Sequence, residues 1–191
     1  MNEEMPERLR DRTHGRWPIL GAAALMPVSA AAVRRPALRP LAGLLWHQTE
    51  EWVWPGSFLS WINREVIGSG EDEFPLDRRL GFVINVVFGW GASAATMGGP
   101  AAAAPAALLY TSHLGNAGLH VAWALRHRQY DPGTVTAVVI LVPLAVGGLR
   151  RLAADPAVSR RALRAGSGGG VAVSLGLMAS MKWRLRRRRG A

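Results

Sequence analysis

Residues His47-Gln48-Thr49-Glu50-Glu51 place one imidazole and two carboxylates within a single turn of LLWHQTEEWVWPGSF. At helical spacing Glu50 and Glu51 follow His47 by three and four positions, so the three side chains share a face and can converge on one ion or one proton. A second set lies in TSHLGNAGLHVAW, where His113, Asn116 and His120 stand at i, i+3 and i+7, again on one face. The chain has no cysteine, which excludes disulfides, thiolate zinc sites and iron–sulfur clusters and leaves histidine and carboxylate as the strong metal ligands. That donor set suits zinc, iron or manganese. In a metal reading one of Glu50 and Glu51 is a ligand and the other a general base toward a metal-bound water, which makes these two the candidate catalytic residues. Other readings use the same side chains without catalysis, as a proton or ion relay, as a scaffold for a partner, or as polar groups that stitch helices together. No nucleophile or phosphate-binding motif accompanies the cluster.

Helices must position these groups, and composition makes lipid their solvent. The 191 residues are 49% apolar with 22 glycines. From Leu80 to Leu125 the chain carries no Asp, Glu, Lys or Arg, unlike a soluble helical domain with a solvated face. The net charge of +10 is almost entirely arginine, clustered beside apolar segments and at the C-terminus. Such clusters fit anionic lipid headgroups. Nucleic acid is the other reading of a basic tail, but no recognition motif accompanies it and none is expected to bind.

Residues 1–16 balance acids against arginines and read as a polar leader without structure. Trp17 to Val33 is a first apolar run, about 25 Å long as a helix and just sufficient for a thin bilayer. A cleaved signal peptide is the alternative, although an acidic leader suits it poorly. Leu41 to Trp54 carries the His–Glu turn and is too short to span unaided. Ser57 to Ile67 has an apolar face opposite Arg64 and Glu65, as expected of a short interfacial helix. Gly68 to Arg79 is an acidic loop, either solvated or calcium-binding, though it lacks the ligand order of an EF-hand. Leu80–Met97 and a run ending near Leu125 are two further spans around Gly98-Gly99-Pro100. Thr134–Leu149 is a fourth. Gly166–Met181 reads equally as a fifth crossing or an interfacial hairpin. The expected fold is thus all-α, an integral membrane bundle of four to five transmembrane helices, with one embedded domain at 17–183 and a basic tail at 184–191. A bacterial cytoplasmic membrane is its expected location, with the bilayer and its anionic headgroups as partners.

Two spans separate the His–Glu turn from the end of the third span, so His47 and His120 belong on the same side of the membrane. If the two stripes face each other, the histidines fall within ~10 Å, the spacing of packed helices, with His113 about two turns deeper. Each stripe is costly against lipid and is the other's natural partner. The metal reading therefore takes His47, Glu50, Glu51, His113, Asn116 and His120 as one set.

HQTEEWVWPGSFLSWINREV resembles the HXXEE family of small multi-pass membrane proteins, and NAGLHVAWALRHRQYDPGTVTAVVILVP resembles a second signature of one of its branches. The family motif falls on His47, Glu50 and Glu51, while Asn116, His120, Tyr130, Pro132 and Gly133 fit the downstream pattern. Thr49 and Ser57 depart from it. The resemblance implies the membrane fold and the site, and it carries no established activity.

Overall fold

The computed structural model of the chain describes residues 4–190, and the side chains of residues 15–190. All the regular elements among these residues are helical. Helix α1 spans Glu4–Arg34, α2 spans Arg39–Trp52, and a 3₁₀ turn at Pro36–Leu38 joins them. Helix α3 begins as Phe58–Trp61 and continues as a π-helix over Ile62–Ile67. Helix α4 comprises Arg78–Phe82, a π-helical middle at Val83–Trp90 and an end at Gly91–Ala95. Helix α5 is Ala103–His127. Helix α6 comprises Thr134–Thr136, a π-helical stretch at Ala137–Leu141 and Val142–Ala154. Helix α7 is Arg160–Arg189.

Three helical segments, 15–34, 78–127 and 134–154, are long and apolar enough to cross a membrane. At most 22% of each apolar window is buried inside the protein. Ile19, Met26, Val87, Val139 and Leu175 stand more than half exposed on four different helices, apolar surface of the kind a membrane or a partner covers. Helix α7 falls outside the three because its glycines dilute its hydropathy, yet at about 45 Å it is long enough. In place of an interfacial hairpin, Gly166–Met181 lies inside one continuous helix. The helix of α1 also reaches back to Glu4, into the leader read as unstructured; glutamate and arginine are good helix formers.

Side-chain register fixes how the helices run. Trp17 meets Trp52, and Gly21 lies beside Leu45, so α1 is antiparallel to α2. Gly81 abuts Trp52, Gln48 bonds Asn85 and Gly89 abuts Leu44, so α4 is antiparallel to α2 as well. Gly43 packs on Leu144 and Ile140 while His47 reaches Thr136, which makes α6 the third antiparallel neighbour. The short α2 is therefore an inner helix, with nine of its 14 residues buried. Its core-facing polar Gln48 is held by Trp90 Nε1–H at 2.8 Å and by Asn85 Oδ1 at 3.0 Å, which spares a buried amide the cost of an unmet bond.

Helix α7 runs parallel to α5. Gly166 approaches the carbonyl of Ala104 and Gly170 that of Leu108 so closely that a Cβ would lie 2.2 Å and 2.5 Å away. The glycines of this segment thus let two backbones touch. The apolar face of α3 turns inward, with Trp61 and Ile62 buried in a cluster with Trp123, Met181 and Leu185. Across that end, Arg188 pairs with Glu71 at 3.0 Å and Arg184 with Asp77 at 3.5 Å. Both guanidinium groups also lie over the Phe74 ring, so the start of the basic tail rests on the acidic loop. Within that loop Asp72 is held below its usual pKa by hydrogen bonds from Arg64 and Ser60.

Candidate metal centre

The C-terminal turn of α2, the second half of α5 and the first turn of α6 meet at one end of the bundle. Glu51 Oε1 lies 3.1 Å from His47 Nε2 and 3.2 Å from His120 Nε2. The imidazole centroids are 5.3 Å apart at 88°. All three residues are buried, and their three ligand atoms lie within 4.8 Å of one another.

The outer nitrogens of both rings are engaged. His120 Nδ1 bonds Asp131 in the α5–α6 loop, a short contact between two fully buried groups. A carboxylate accepts, so that nitrogen carries the proton. His47 Nδ1 lies 2.9 Å from the Thr136 hydroxyl, whose own proton goes to Glu50. Having spent its one proton, Thr136 accepts from His47. The Nε2 edges of both rings therefore face the carboxylate of Glu51, and the Asn116 amide also lies against that of His47. Three electron-rich atoms facing one another in a buried pocket call for positive charge at that point, supplied by protons or by a metal ion. The outer partners match the carboxylate–histidine arrangement that orients metal ligands. Trp61 stacks on His120, 4.9 Å centroid to centroid and 10° from parallel, and holds the ring plane.

Glu50 points elsewhere. Its carboxylate accepts from Tyr130 Oη at 2.8 Å, from the amides of Val135 and Thr136 at 3.2 Å and 2.7 Å, and from the Thr136 hydroxyl. It thus caps the N-terminus of α6 from a neighbouring helix, meeting donors that begin a helix without intrahelical acceptors. Gly133, at the cap position itself, supplies no side chain for this task. Burial and the Glu50 carboxylate raise the Tyr130 hydroxyl well above its usual pKa, so it remains a donor. Asn116 Nδ2 reaches His47 Nε2 at 2.6 Å.

His113 belongs to an adjoining space. A cavity of about 270 Å³, lined mainly by apolar side chains, lies between α4, α5 and α7 and reaches His47, Glu51, His113 and Asn116. A second cavity of about 320 Å³ opens among Trp17, Ser57, Ser60, Asp72, Glu73 and Arg78, and Glu51 lines it too. Glu51 therefore stands between an apolar chamber and a vestibule of mixed lining.

Of the residues singled out by sequence, the structure brings His47, Glu51, His120 and Asn116 together, gives Glu50 to the α6 cap and puts His113 in the apolar chamber. Asp131, Thr136 and the steric role of Gly133 were missed. Asp131 is the one acid in RHRQYDPG, and that was the available signal. Thr136 had none, since a threonine in a spanning segment ordinarily bonds its own helix.

No curated protein and no solved structure matches the chain. Residues 40–147, which carry the His–Glu turn, the α4–α5 hairpin and the Thr136 turn, match the family described as proteins of unknown function with an HXXEE motif, and the chain belongs to that family.

Proposed function

We propose that this protein is a membrane-embedded metalloprotein in which His47, Glu51 and His120 hold one divalent metal, zinc, iron or manganese, near one face of the bilayer, for chemistry on a lipid-like substrate. The observation that carries the reading is the pair of imidazoles whose outer N–H groups are committed to Asp131 and Thr136, leaving both Nε2 atoms aimed at one carboxylate. These three residues would hold the metal, and a metal held there would supply Lewis-acid activation of an oxygen or of water. In this reading Glu50 fixes α6 and Thr136 against α2, Asp131 orients His120, and Asn116 borders the open side.

The same reading makes α1, α4, α5, α6 and α7 five spans around the inner α2. Helix α7 is included because it lies parallel on α5 and exposes Val171 and Leu175 outward. Arginines at 34–39 and 150–164 then gather on one face, and the site lies toward the other with the tail. The basic residues of that tail contact anionic headgroups, alongside the acidic loop that already engages Arg184 and Arg188.

Metal analysis of purified protein tests the centre. Wild type is expected to carry close to one equivalent of one transition metal, and His47→Ala, Glu51→Ala and His120→Ala to lose it, while Glu65→Ala retains it. Equal trace content in all would leave the proton reading, in which flux across proteoliposomes falls in Glu51→Gln.

A further inference from the structure

The apolar chamber beside the triad contains one polar atom with nothing to bond. Asn85 is occupied by Gln48 and the Gly81 carbonyl. Ser112 and Ser174 both donate to the Gly170 carbonyl. His113 is 5% exposed, lines the chamber, and its Nε2 has no partner. A buried imidazole nitrogen without a bond is costly, and within a chamber walled by Ile84, Phe88, Leu109, Leu119, Leu177 and Met178 only an incoming ligand offers one.

We infer that the chamber binds a single-chain amphiphile, its hydrocarbon tail between α4 and α7 and an oxygen-bearing head, hydroxyl or carboxyl, between His113 and the His47–Glu51–His120 triad. The walls specify the tail, because a chamber with so little polar lining excludes a sugar or nucleotide. A cavity of about 270 Å³ has room for a hydrocarbon chain of medium length. Entry is lateral. Val83 on α4 and Val173 on α7 both line the chamber and are 45% and 37% exposed on the lipid-facing surface, so they mark its mouth. Part of the rim is the π-helical Val83–Trp90, a helix form that recurs at functional sites. Placement of the head beside the triad rests on the metal reading; occupancy of the chamber by the tail does not.

The experiment uses the full chain in lipid nanodiscs and a decanoic acid carrying a terminal photoreactive diazirine. Cross-links mapped by mass spectrometry are expected on 84–88 and 177–178, and unlabelled decanoate is expected to compete them away. His113→Leu should weaken that competition about tenfold. Val173→Trp, at the exposed mouth where folding is not at stake, should abolish the specific labelling. Running the series on metal-stripped and metal-loaded protein separates the two ideas: saturable labelling whose affinity is the same with and without metal keeps the chamber and overturns the placement of the head at the metal centre. Diffuse, unsaturable labelling over all lipid-facing helices, competition by diacyl phospholipid as effective as by decanoate, or full binding in both variants overturns the inference.

Discussion

Gly133 lies against His120 so closely that a Cβ there would come within 2.6 Å of the ring's Cε1 and 3.0 Å of its Nε2, and within 3.0 Å of His47 Cε1. The backbone of this residue is one wall of the triad. Its φ of +119° adds a second reason for glycine, since other residues are strained there. Gly133→Ala is expected to displace both imidazoles, to cost about 1–3 kcal/mol of stability, and to lower bound metal below half an equivalent. Thermal unfolding in detergent and metal analysis read the two effects.

Asp131→Asn keeps the size of the side chain that holds His120 but takes away the anion that orients its Nδ1–H. Metal affinity should fall about 10- to 100-fold, the usual consequence of losing such an outer partner. Competition with a chelator of known affinity measures it, and unchanged affinity would remove Asp131 from the site.

One hydroxyl on Thr136 serves both His47 and Glu50. Thr136→Val should cost about 1–3 kcal/mol through the unmet buried groups and weaken metal binding, whereas Thr136→Ser should restore most of both. Loss in Val without rescue in Ser would point to packing of the methyl group instead.

Because the chain has no cysteine, single cysteines report topology cleanly. Pro132→Cys and Gly190→Cys should react with an impermeant maleimide from one face of sealed vesicles, and Ala37→Cys and Ala157→Cys from the other. Labelling of positions 132 and 190 from opposite faces would contradict the five-span arrangement.

Gly170→Leu should separate α7 from α5, since its Cβ would meet the Leu108 carbonyl at 2.5 Å and Thr111 Cβ at 2.8 Å. Overpacking of this kind costs about 1–3 kcal/mol, and the midpoint of thermal unfolding should drop accordingly. Gly168→Leu, where a Cβ meets nothing within 4 Å, should not.

The uncharged stretch from Leu80 to Leu125 and the spacing of His47, Glu51, Asn116 and His120 were legible because helical period alone puts such residues on one face. The same period placed Glu50 with them, and nothing local says that its carboxylate finds three donors at the start of α6 and a fourth on Tyr130. His113 shares the stripe of His120, yet seven residues of rise carry it about 10 Å along the axis, into a chamber whose walls come from α4 and α7. Helix α7 was ambiguous for a related reason: glycine looks like a hairpin by composition and like an interface only when the partner backbone is in place.

Helix α2, enclosed by three antiparallel neighbours, sets the order in which the protein can be made. Its 14 residues end in His47, Gln48, Glu50 and Glu51, too short and too polar to settle in lipid alone as it leaves the ribosome. Its partners arrive later in translation: Asn85 for Gln48, Asn116 for His47, His120 for Glu51, and Thr136 for Glu50. In the membrane reading proposed above, this helix waits at the interface or in the insertion machinery until about residue 136 has been synthesised. The two earliest groups of the triad are thus the last to be buried, and a nascent chain truncated before α6 exposes them.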